Sequence, residues 1–404
     1  MKSNCITIFQ NTYHRDPDGV SFCPYRVCPL GAHVDHQHGQ VNGLAINYGI
    51  HIAYSIKRNG VIELSSLEFP KRAQFHIAAV PWPKENDWAD YLRGATKVLT
   101  DRYQLRYGLC GVIQGSLPIG GLSSSAAVTI AFLTALCTVN HIYPTDSELI
   151  LLAQEAENKY VGISCGILDQ SCEILSKKNH LLFLDTNDNS YEQIPANQHM
   201  PDYKIAIFFS GLERSLVSSK YNMRQDECKA AAYALMAFAN MPYGNFRDIS
   251  LRDVPEEIFA QFKDRLPDPW QKRATHYYEE TARAQAGASA WRNGNLNEYG
   301  RLIFESGYSS IANYECGCDE LKTLYTIMRS TDGIYGGRFS GAGFKGCCMA
   351  FIDPSRAEQI AESVETKYLA VYPDLKGKYS FHLCESADGV SLTSVMNRKE
   401  IFIL

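Results

Sequence analysis

The segment Gly115–Ala127, with the sequence GSLPIGGLSSSAA, constrains this chain more than any other part of it. Glycine tolerates positive φ and has no side chain, so the backbone here is able to bend closely around a ligand. The apolar stretch 126–137 that follows predicts a helix, and the first turn of a helix carries unpaired N–H groups and a partial positive charge. This arrangement favours a bound phosphate, although an ordinary capped helix after a glycine turn fits the same pattern.

The glycines of this segment are not followed by the lysine of a Walker A loop. Three other segments carry equally unusual patterns: RVCPLGAHVDH at 26–36, AENKYVGISCGILDQ at 156–170 and GRFSGAGFKGC at 337–347. In this order the four segments resemble the signatures of the GHMP small-molecule kinases, the family named for galactokinase, homoserine kinase, mevalonate kinase and phosphomevalonate kinase. The segment at 26–36 is similar to the galactokinase signature RVNLIGEHTDY. The resemblance extends over nearly the whole chain.

Composition excludes several other classes of protein. A length of 404 residues with 45% hydrophobic content is enough for two or three packed domains, and a net charge of −5 argues against nucleic-acid binding. We find neither an apolar run long enough for a membrane span nor a signal peptide, so we expect no membrane partner. The 13 cysteines form no repeated metal-type pairs, which favours reduced thiols in a cytoplasmic protein. The oligomeric state is left open.

The order of the predicted elements divides the chain into two unlike halves. Short strands mixed with helices are predicted as far as about residue 218, and long helical patterns dominate from there to residue 328. Strand patterns return at 347–352 and 379–383. The resemblance implies an α+β fold, the GHMP kinase fold, with an N-terminal domain over 1–200 and a C-terminal domain over 201–404. It also implies an active site in the cleft between these two domains.

The resemblance assigns phosphoryl transfer from ATP to particular residues. Asp169 matches the catalytic aspartate, which hydrogen-bonds the acceptor hydroxyl, and Arg26 matches the arginine paired with it. A neighbouring guanidinium keeps a carboxylate ionised and offsets charge on the transferred phosphoryl group. Ser125 and Glu157 match the residues that hold Mg²⁺, which prefers hard oxygen ligands. A structural ion pair remains the alternative for Arg26 and Asp169, and a solvated helix position remains the alternative for Glu157.

The other nucleotide contacts are expected along two glycine-rich loops and one helix. Trp88 and Tyr91 match positions that help to form the adenine pocket of galactokinases, although the core side of an amphipathic helix explains them nearly as well. The second glycine-rich loop, at 336–346, is expected against the nucleotide phosphates or the acceptor, or else to form a turn between strands. The predicted cofactor-binding positions in the loops are Gly115, Pro118, Gly120, Gly121, Leu122, Ser123, Ser124, Ser125, Ala126 and Gly341.

Sugar recognition is implied by the galactokinase-like signature and by later positions. His33 and Asp35 match residues that face the sugar, and the carboxylate of Asp35 is expected to accept hydrogen bonds from ring hydroxyls. Tyr221 matches a tyrosine that contacts the sugar. The predicted substrate-binding residues are Ala32, His33, Asp35, His36, Gly166, Arg214 and Tyr221.

Ala32 departs from the galactokinase pattern. Galactokinases carry there a glutamate that binds the 6-hydroxyl of the sugar, and such a glutamate would repel a carboxylate at C6. The form GAHVDHQ, in which His36 and Gln37 add imidazole and amide donors, also resembles that of plant galacturonokinases. We therefore predict a sugar 1-kinase acting on D-galacturonate, with His36 and Arg214 as candidate partners of the substrate carboxylate. A galactokinase of loosened selectivity and a non-catalytic sugar sensor are the alternatives.

Overall fold

The computed structural model of the protein describes residues 2–118, 120–163, 165–212 and 219–394. In the first half of the chain, a mixed sheet packs against helices on its inner face and carries one helix on its outer face. The elements of this half are α1 (Lys2–Tyr13), β1 (Gly19–Val27), β2 (Gln40–Lys57), β3 (Val61–Ser66), β4 (Ala73–His76), α2 (Asp90–Thr100), β5 (Gly108–Gly115), α3 (Ser124–Val139), α4 (Asp146–Glu155), α5 (Leu168–Leu175), β6 (His180–Asp185) and β7 (Tyr191–Pro195).

The second half is built on a smaller antiparallel sheet with long helices packed against it. Its elements are β8 (Lys204–Phe209), α6 (Ser219–Phe238), α7 (Glu256–Phe262), α8 (Asp268–Arg292), α9 (Leu296–Ala312), α10 (Asp319–Arg329), β9 (Ile334–Phe339), β10 (Cys347–Ile352), α11 (Ala357–Val371), β11 (Ser380–Cys384), β12 (Ser386–Ala387) and β13 (Ser391–Ser394). The α+β fold expected from the sequence is thus confirmed.

The topology brings the end of the chain back to its beginning. The larger sheet has the order β13-β1-β2-β5-β3-β4, with β6 and β12 paired to β2 and β7 paired to β6, and the smaller sheet has the order β11-β8-β10-β9. Strands β12 and β13 therefore extend the first sheet, although they follow the second sheet in sequence. The boundary near residue 200 stays a prediction. Among the described helices, none has the length and apolar content needed to cross a membrane.

Helix α3 lies at the centre of the first half. Its alanines and apolar side chains are buried on nearly all sides, as expected for a helix without a polar face. It packs against β1, β2 and α2, and its first residue follows the glycine-rich loop directly. The buried packing of α3 therefore fixes where that loop lies relative to the sheet.

The sequence over 148–160, rich in Leu, Ala and Glu, predicts a single helix, and this prediction is wrong in its second half. α4 begins with a capping box between Thr145 and Glu148 and ends at Glu155, and residues Ala156–Val161 form a turn of π-helix. A π-turn widens the helix and changes the direction of the side chains on it, and such turns are frequent at functional sites. It includes Glu157, a predicted metal ligand.

The predicted loop at 336–346 is in part a strand. Gly336 and Gly337 belong to β9, and only 340–346 form the loop between β9 and β10. A Cβ added to Gly336 would lie 2.2 Å from the carbonyl oxygen of Gly300 on α9, and one added to Gly300 would lie 2.0 Å from the oxygen of Tyr335. Only glycine fits at these two positions, because the backbones of α9 and β9 are in direct contact.

We predict that Gly300→Ala destabilises the protein although alanine favours a helix over glycine by about 1 kcal/mol. The added methyl group meets a backbone carbonyl that cannot rotate away, so we expect a net loss of about 1–3 kcal/mol. The measurement is thermal unfolding of the variant beside Gly244→Ala, because a Cβ at Gly244 meets no atom within 4 Å. Equal melting temperatures for the two variants would contradict this account of the α9–β9 contact.

Candidate functional site

The glycine-rich loop after β5 has a backbone that few residues other than glycine adopt. Gly120 and Gly121 have φ of 146° and 85°, and Ser123, just before α3, has φ of 62°. Ser123 does not cap α3 with its side chain, and the first intrahelical hydrogen bond runs from Ala127 N to Ser123 O at 3.0 Å. The first-turn N–H groups of α3, from Ser124 to Ala126, therefore face the region in front of the loop, where an anion is favoured.

The two glycine-rich loops of the chain lie directly against each other. A Cβ on Gly120 would lie 2.9 Å from Gly346 Cα, and a Cβ on Gly341 would lie 2.9 Å from Gly121 O. A side chain at these glycines would force the loops apart. The contact joins the two halves of the protein at the start of α3.

Arg26, Asp169 and Ser123 form the charged centre of the site. Arg26 Nε donates to Asp169 Oδ1 at 2.7 Å, and Ser123 Oγ donates to Asp169 Oδ2 at 2.6 Å. Arg26 Nη1 donates to Gly121 O at 3.0 Å. Burial lowers the pKa of Arg26, but the charge of Asp169 outweighs it and the net shift is upward. The Asp169 side chain keeps 29% of its surface exposed, so a ligand can reach it.

Asp35 lies beside this centre. It begins the 3₁₀ turn 35–37, and its carboxylate accepts hydrogen bonds from the backbone of His36 and Leu168. Burial, followed by the charge of Asp169, raises the pKa of Asp35 to about 6. A Cβ on Gly166 would lie 2.2 Å from Asp35 Oδ2, so only glycine fits there. Asp35, Gly166 and Asp169 are thus brought together.

Glu173 is a carboxyl group beneath the site that sequence reasoning missed. It follows Asp169 by one turn of α5, is fully buried and lies 3.9 Å from Cys23 Sγ through Oε2. Burial, with the charge of Asp169 as the next cause, raises the pKa of Glu173 well above its usual value. The i, i+4 spacing of the two carboxyl groups was the available signal.

Glu157 is buried in the π-turn, with Cys165 Sγ 3.9 Å from its Oε2. Gly94 of α2 packs on the same turn, because its Cβ would lie 3.0 Å from Ala156 O. The described residues contain no cluster of three or more His, Cys, Asp or Glu side chains suited to a metal ion. A metal at Glu157 would therefore need the hydroxyl of Ser125 and oxygens of a ligand.

Tyr91 lies in the first turn of α2, Trp88 lies just before this helix, and both are mostly buried. The Trp88 indole donates from Nε1 to Lys71 O at 2.8 Å, and its ring stacks on Phe69 at 6.0 Å between centroids. The part of Phe69 that remains exposed makes an aromatic surface beside α2. A role for Trp88 and Tyr91 in adenine binding stays a prediction.

The sugar signature packs against an aromatic cluster from the second half of the chain. His33 stacks on Tyr314 at 4.3 Å, and His276 Nε2 lies 2.9 Å from Ala32 O. His36 Nε2 lies 3.1 Å from the Tyr314 hydroxyl. His276 and Tyr314 carry no sequence signal of their own, since isolated histidines and tyrosines are common in helices and loops.

Of three further residues expected near the sugar, the structure describes only Gln37 with its side chain. Gln37 is fully buried, and its amide contacts His36 and Leu251. Its part in binding a substrate carboxylate stays a prediction. Arg214 lies outside the described residues, and for Tyr221 only the backbone, in α6, is described.

Comparison with known families gives three matches along the chain. Residues 7–56 match the galactokinase galactose-binding signature, 90–177 match the N-terminal domain of GHMP kinases, and 288–370 match their C-terminal domain. These ranges contain Arg26, Glu157, Asp169 and Tyr314.

Individual proteins and structures agree with these matches. The chain is 37% identical to a galacturonokinase of Arabidopsis thaliana over 91% of this chain and 92% of that protein, and 32% identical to a galactokinase of Roseiflexus over 95% of both. The structure resembles that of Lactococcus lactis galactokinase complexed with galactose, with a TM-score of 0.87, 28% identity, and coverage of 96% of this chain and 99% of that one.

We predict that Glu173→Gln changes stability in a pH-dependent way. The folded pKa of Glu173 is raised, so its stabilising contribution is fully present below pH 4.5 and is lost as pH rises toward the folded pKa. Glutamine does not titrate, so the variant does not lose this stability as pH rises. The melting temperature of the variant relative to wild type should therefore increase by about 2–4 °C between pH 5 and pH 8, measured by calorimetry. A difference that stays constant over this range would show that Glu173 is ionised in the folded protein.

Proposed function

Because the chain belongs to the GHMP kinase family and to its galactokinase branch, we propose that it phosphorylates the anomeric hydroxyl of D-galacturonate to give galacturonate 1-phosphate. The protein is an ATP-dependent sugar kinase. The observation that carries the reaction is the meeting of Asp169, Arg26 and Ser123 at the start of α3. The substrate assignment depends on Ala32.

In this proposal Asp169 accepts the hydrogen bond of the attacking hydroxyl and takes its proton. The bond from the sugar oxygen to the γ-phosphorus of ATP forms as the bond from that phosphorus to the bridging oxygen breaks, and ADP leaves. Arg26 keeps the carboxylate ionised and holds one oxygen, while Ser123 holds the other. Both partners are fixed by the loop and by β1, so the carboxylate is oriented before the sugar arrives. Such preorganisation lowers the cost of reaching the transition state.

The phosphates of ATP would lie in front of α3, against the glycine-rich loop. Positive φ at Gly120 and Gly121 and the absence of side chains there allow close approach, and the N–H groups of the first helical turn provide donors. Mg²⁺ would be held by the Ser125 hydroxyl and the Glu157 carboxylate. These two hard oxygen donors fit an ion that keeps several waters, and when bound the ion offsets charge on the phosphates.

Two features of the sugar signature are compatible with a carboxylate substrate. The pKa of His33 is lowered well below its usual value by burial first and then by the charge of Arg338, so this ring is neutral. The small side chain of Ala32 adds no opposing charge in this turn.

Phosphorylation of galactose itself is the second candidate. It is favoured by the 32% identity to a galactokinase and by the structural likeness to a galactokinase complexed with galactose. A non-catalytic sugar sensor is disfavoured because Asp169, Arg26 and the serine loop are all present and mutually bonded.

We predict that Asp169→Asn lowers kcat by about 10²–10⁴-fold, since an amide cannot take the proton of the acceptor hydroxyl. Asparagine keeps the size of the side chain: its oxygen can accept from Arg26, and its NH₂ group can donate to the Ser123 hydroxyl. Circular dichroism of the variant checks the fold, because the buried guanidinium loses its counter-charge. Asp332→Asn is the control, as Asp332 is 90% exposed on its side chain and should give full activity. If Asp169→Asn retained near-normal turnover, Asp169 would have no part in the proton transfer.

The substrate assignment is tested by adding charge at Ala32. Ala32→Glu should lower kcat/KM for galacturonate by at least tenfold more than for galactose, because two poorly screened carboxylates repel each other. Ala32→Gln is the matched control for bulk, since it has the same size and no charge. A wild type that prefers galactose, or equal losses for both sugars in Ala32→Glu, would leave an unusual galactokinase.

A further inference from the structure

Gln37 is a fully buried amide whose orientation is determined by its neighbours. Leu251 N donates to Gln37 Oε1 at 3.1 Å, and Gln37 Nε2 donates to the carbonyl oxygen of His36 at 3.1 Å. A backbone N–H can only donate and a carbonyl can only accept, so both contacts require the same orientation of the amide. The second hydrogen on Gln37 Nε2 then faces His36 Nδ1 at 3.0 Å.

This orientation decides where His36 carries its proton. Nδ1 receives an N–H from Gln37, so it must be the unprotonated nitrogen, and the ring proton lies on Nε2. Nε2 faces the hydroxyl of Tyr314 at 3.1 Å and donates to its oxygen. The hydrogen of the Tyr314 hydroxyl is therefore turned away from His36. Four groups form one chain of donors that runs from Leu251 through Gln37 and His36 to Tyr314.

The groups around His36 also oppose a second proton on the ring. The pKa of His36 is lowered to about 3, and burial is the largest cause. The next cause, a hydrogen bond of the ring to its own backbone carbonyl, raises the pKa, and His276 on α8, Lys229 on α6 and His38 lower it again. On the neighbouring turn, Arg252 pairs with Asp185 and Asp253 accepts from Ser250. These contacts of Arg252, Asp185 and Asp253 are thus with one another or with Ser250, and not with the imidazole of His36.

We propose that Gln37 is a positioning residue, which holds His36 as the neutral Nε2–H tautomer and so keeps the recognition of a substrate carboxylate independent of pH near neutrality. The tautomer follows from the orientation of the Gln37 amide, whose N–H competes at Nδ1 with the contact of the ring to its own backbone carbonyl. Its consequence for the substrate rests on the proposed function. An ordinary histidine beside a carboxylate would gain a proton between pH 8 and pH 6 and would change the affinity for an anion, whereas His36 does not.

Gln37→Glu reverses the direction of the hydrogen bond to His36 Nδ1, because it replaces one nitrogen atom with an oxygen atom. A glutamate has no N–H, so its oxygens accept from Leu251 N and from His36 Nδ1–H, and His36 can then carry protons on both nitrogens. The ratio of KM for galacturonate to KM for galactose should fall by about threefold or more between pH 8 and pH 6 in this variant. In the wild type the ratio should stay constant. Taking the ratio cancels the titration of Asp35, which affects both sugars.

The matched control is Gln198→Glu, because Gln198 is exposed and also lies beside a histidine, His199, at 3.2 Å. Gln198→Glu adds the same charge without contact to the sugar signature. The ratio of the two KM values should therefore stay constant between pH 8 and pH 6 in this control. A flat ratio in Gln37→Glu, or a wild-type ratio that changes with pH as much as the variant's, would overturn the proposal. A wild type inactive on galacturonate would refute the substrate assignment and leave the tautomer to be decided separately.

The tautomer is measured directly on the wild-type protein with ¹⁵N-labelled histidine. Long-range ¹H–¹⁵N spectra should show His36 as the Nε2–H form with no change between pH 8 and pH 5.5, and the signals are assigned by their loss in His36→Asn. An Nδ1–H form, or titration with a midpoint near 6.5, would overturn the proposal even if Gln37→Glu failed to fold.

Discussion

The site depends on one buried guanidinium. Arg26 is only 4% exposed, and a buried charge is very unfavourable unless its hydrogen bonds and its counter-charge are both provided. Asp169 provides the charge, and the carbonyl of Gly121 provides a further acceptor. The backbone N–H of Arg26 also donates to Leu122 O. One residue of β1 therefore determines the positions of α5 and of the glycine-rich loop.

The charge of Arg26 also determines which of the neighbouring carboxyl groups are ionised. Asp35, Asp169 and Glu173 lie around it, and burial followed by the charge of Asp169 raises the pKa of both Asp35 and Glu173. With one nearby cation, ionisation of all three carboxyl groups is unfavourable. Asp169 takes the direct bond, Glu173 keeps a proton beneath the site, and Asp35 titrates close to pH 6. The site thus keeps its negative charge at the atom that receives a proton in the proposed reaction.

The sequence predicted the elements with strong periodicity, such as α3 and α10, and it predicted the residues of the charged centre through their motifs. It missed α1, whose β-branched and polar residues favour a helix weakly and which is held by Cys5 and Phe9 packed on the outer face of the sheet. It also missed β1, where Pro24 lies at a shift in strand register. The contact of His36 with Tyr314 joins residues 278 positions apart, which no local sequence pattern can predict.

Among the described residues, the charges beside the turn that carries Ala32 balance one another. Gly31 N donates to the buried Glu280, whose carboxylate is paired with Arg338 and Arg283, and Arg283 is also paired with Glu279. His33, His36 and His276 are all neutral by burial, because each has a lowered pKa. The differences from the galactokinase signature include the loss of a glutamate at Ala32 and the gain of an imidazole at His36. The absence of a repelling glutamate at Ala32, together with histidines that stay neutral near pH 7, therefore favours a carboxylate in the proposed site.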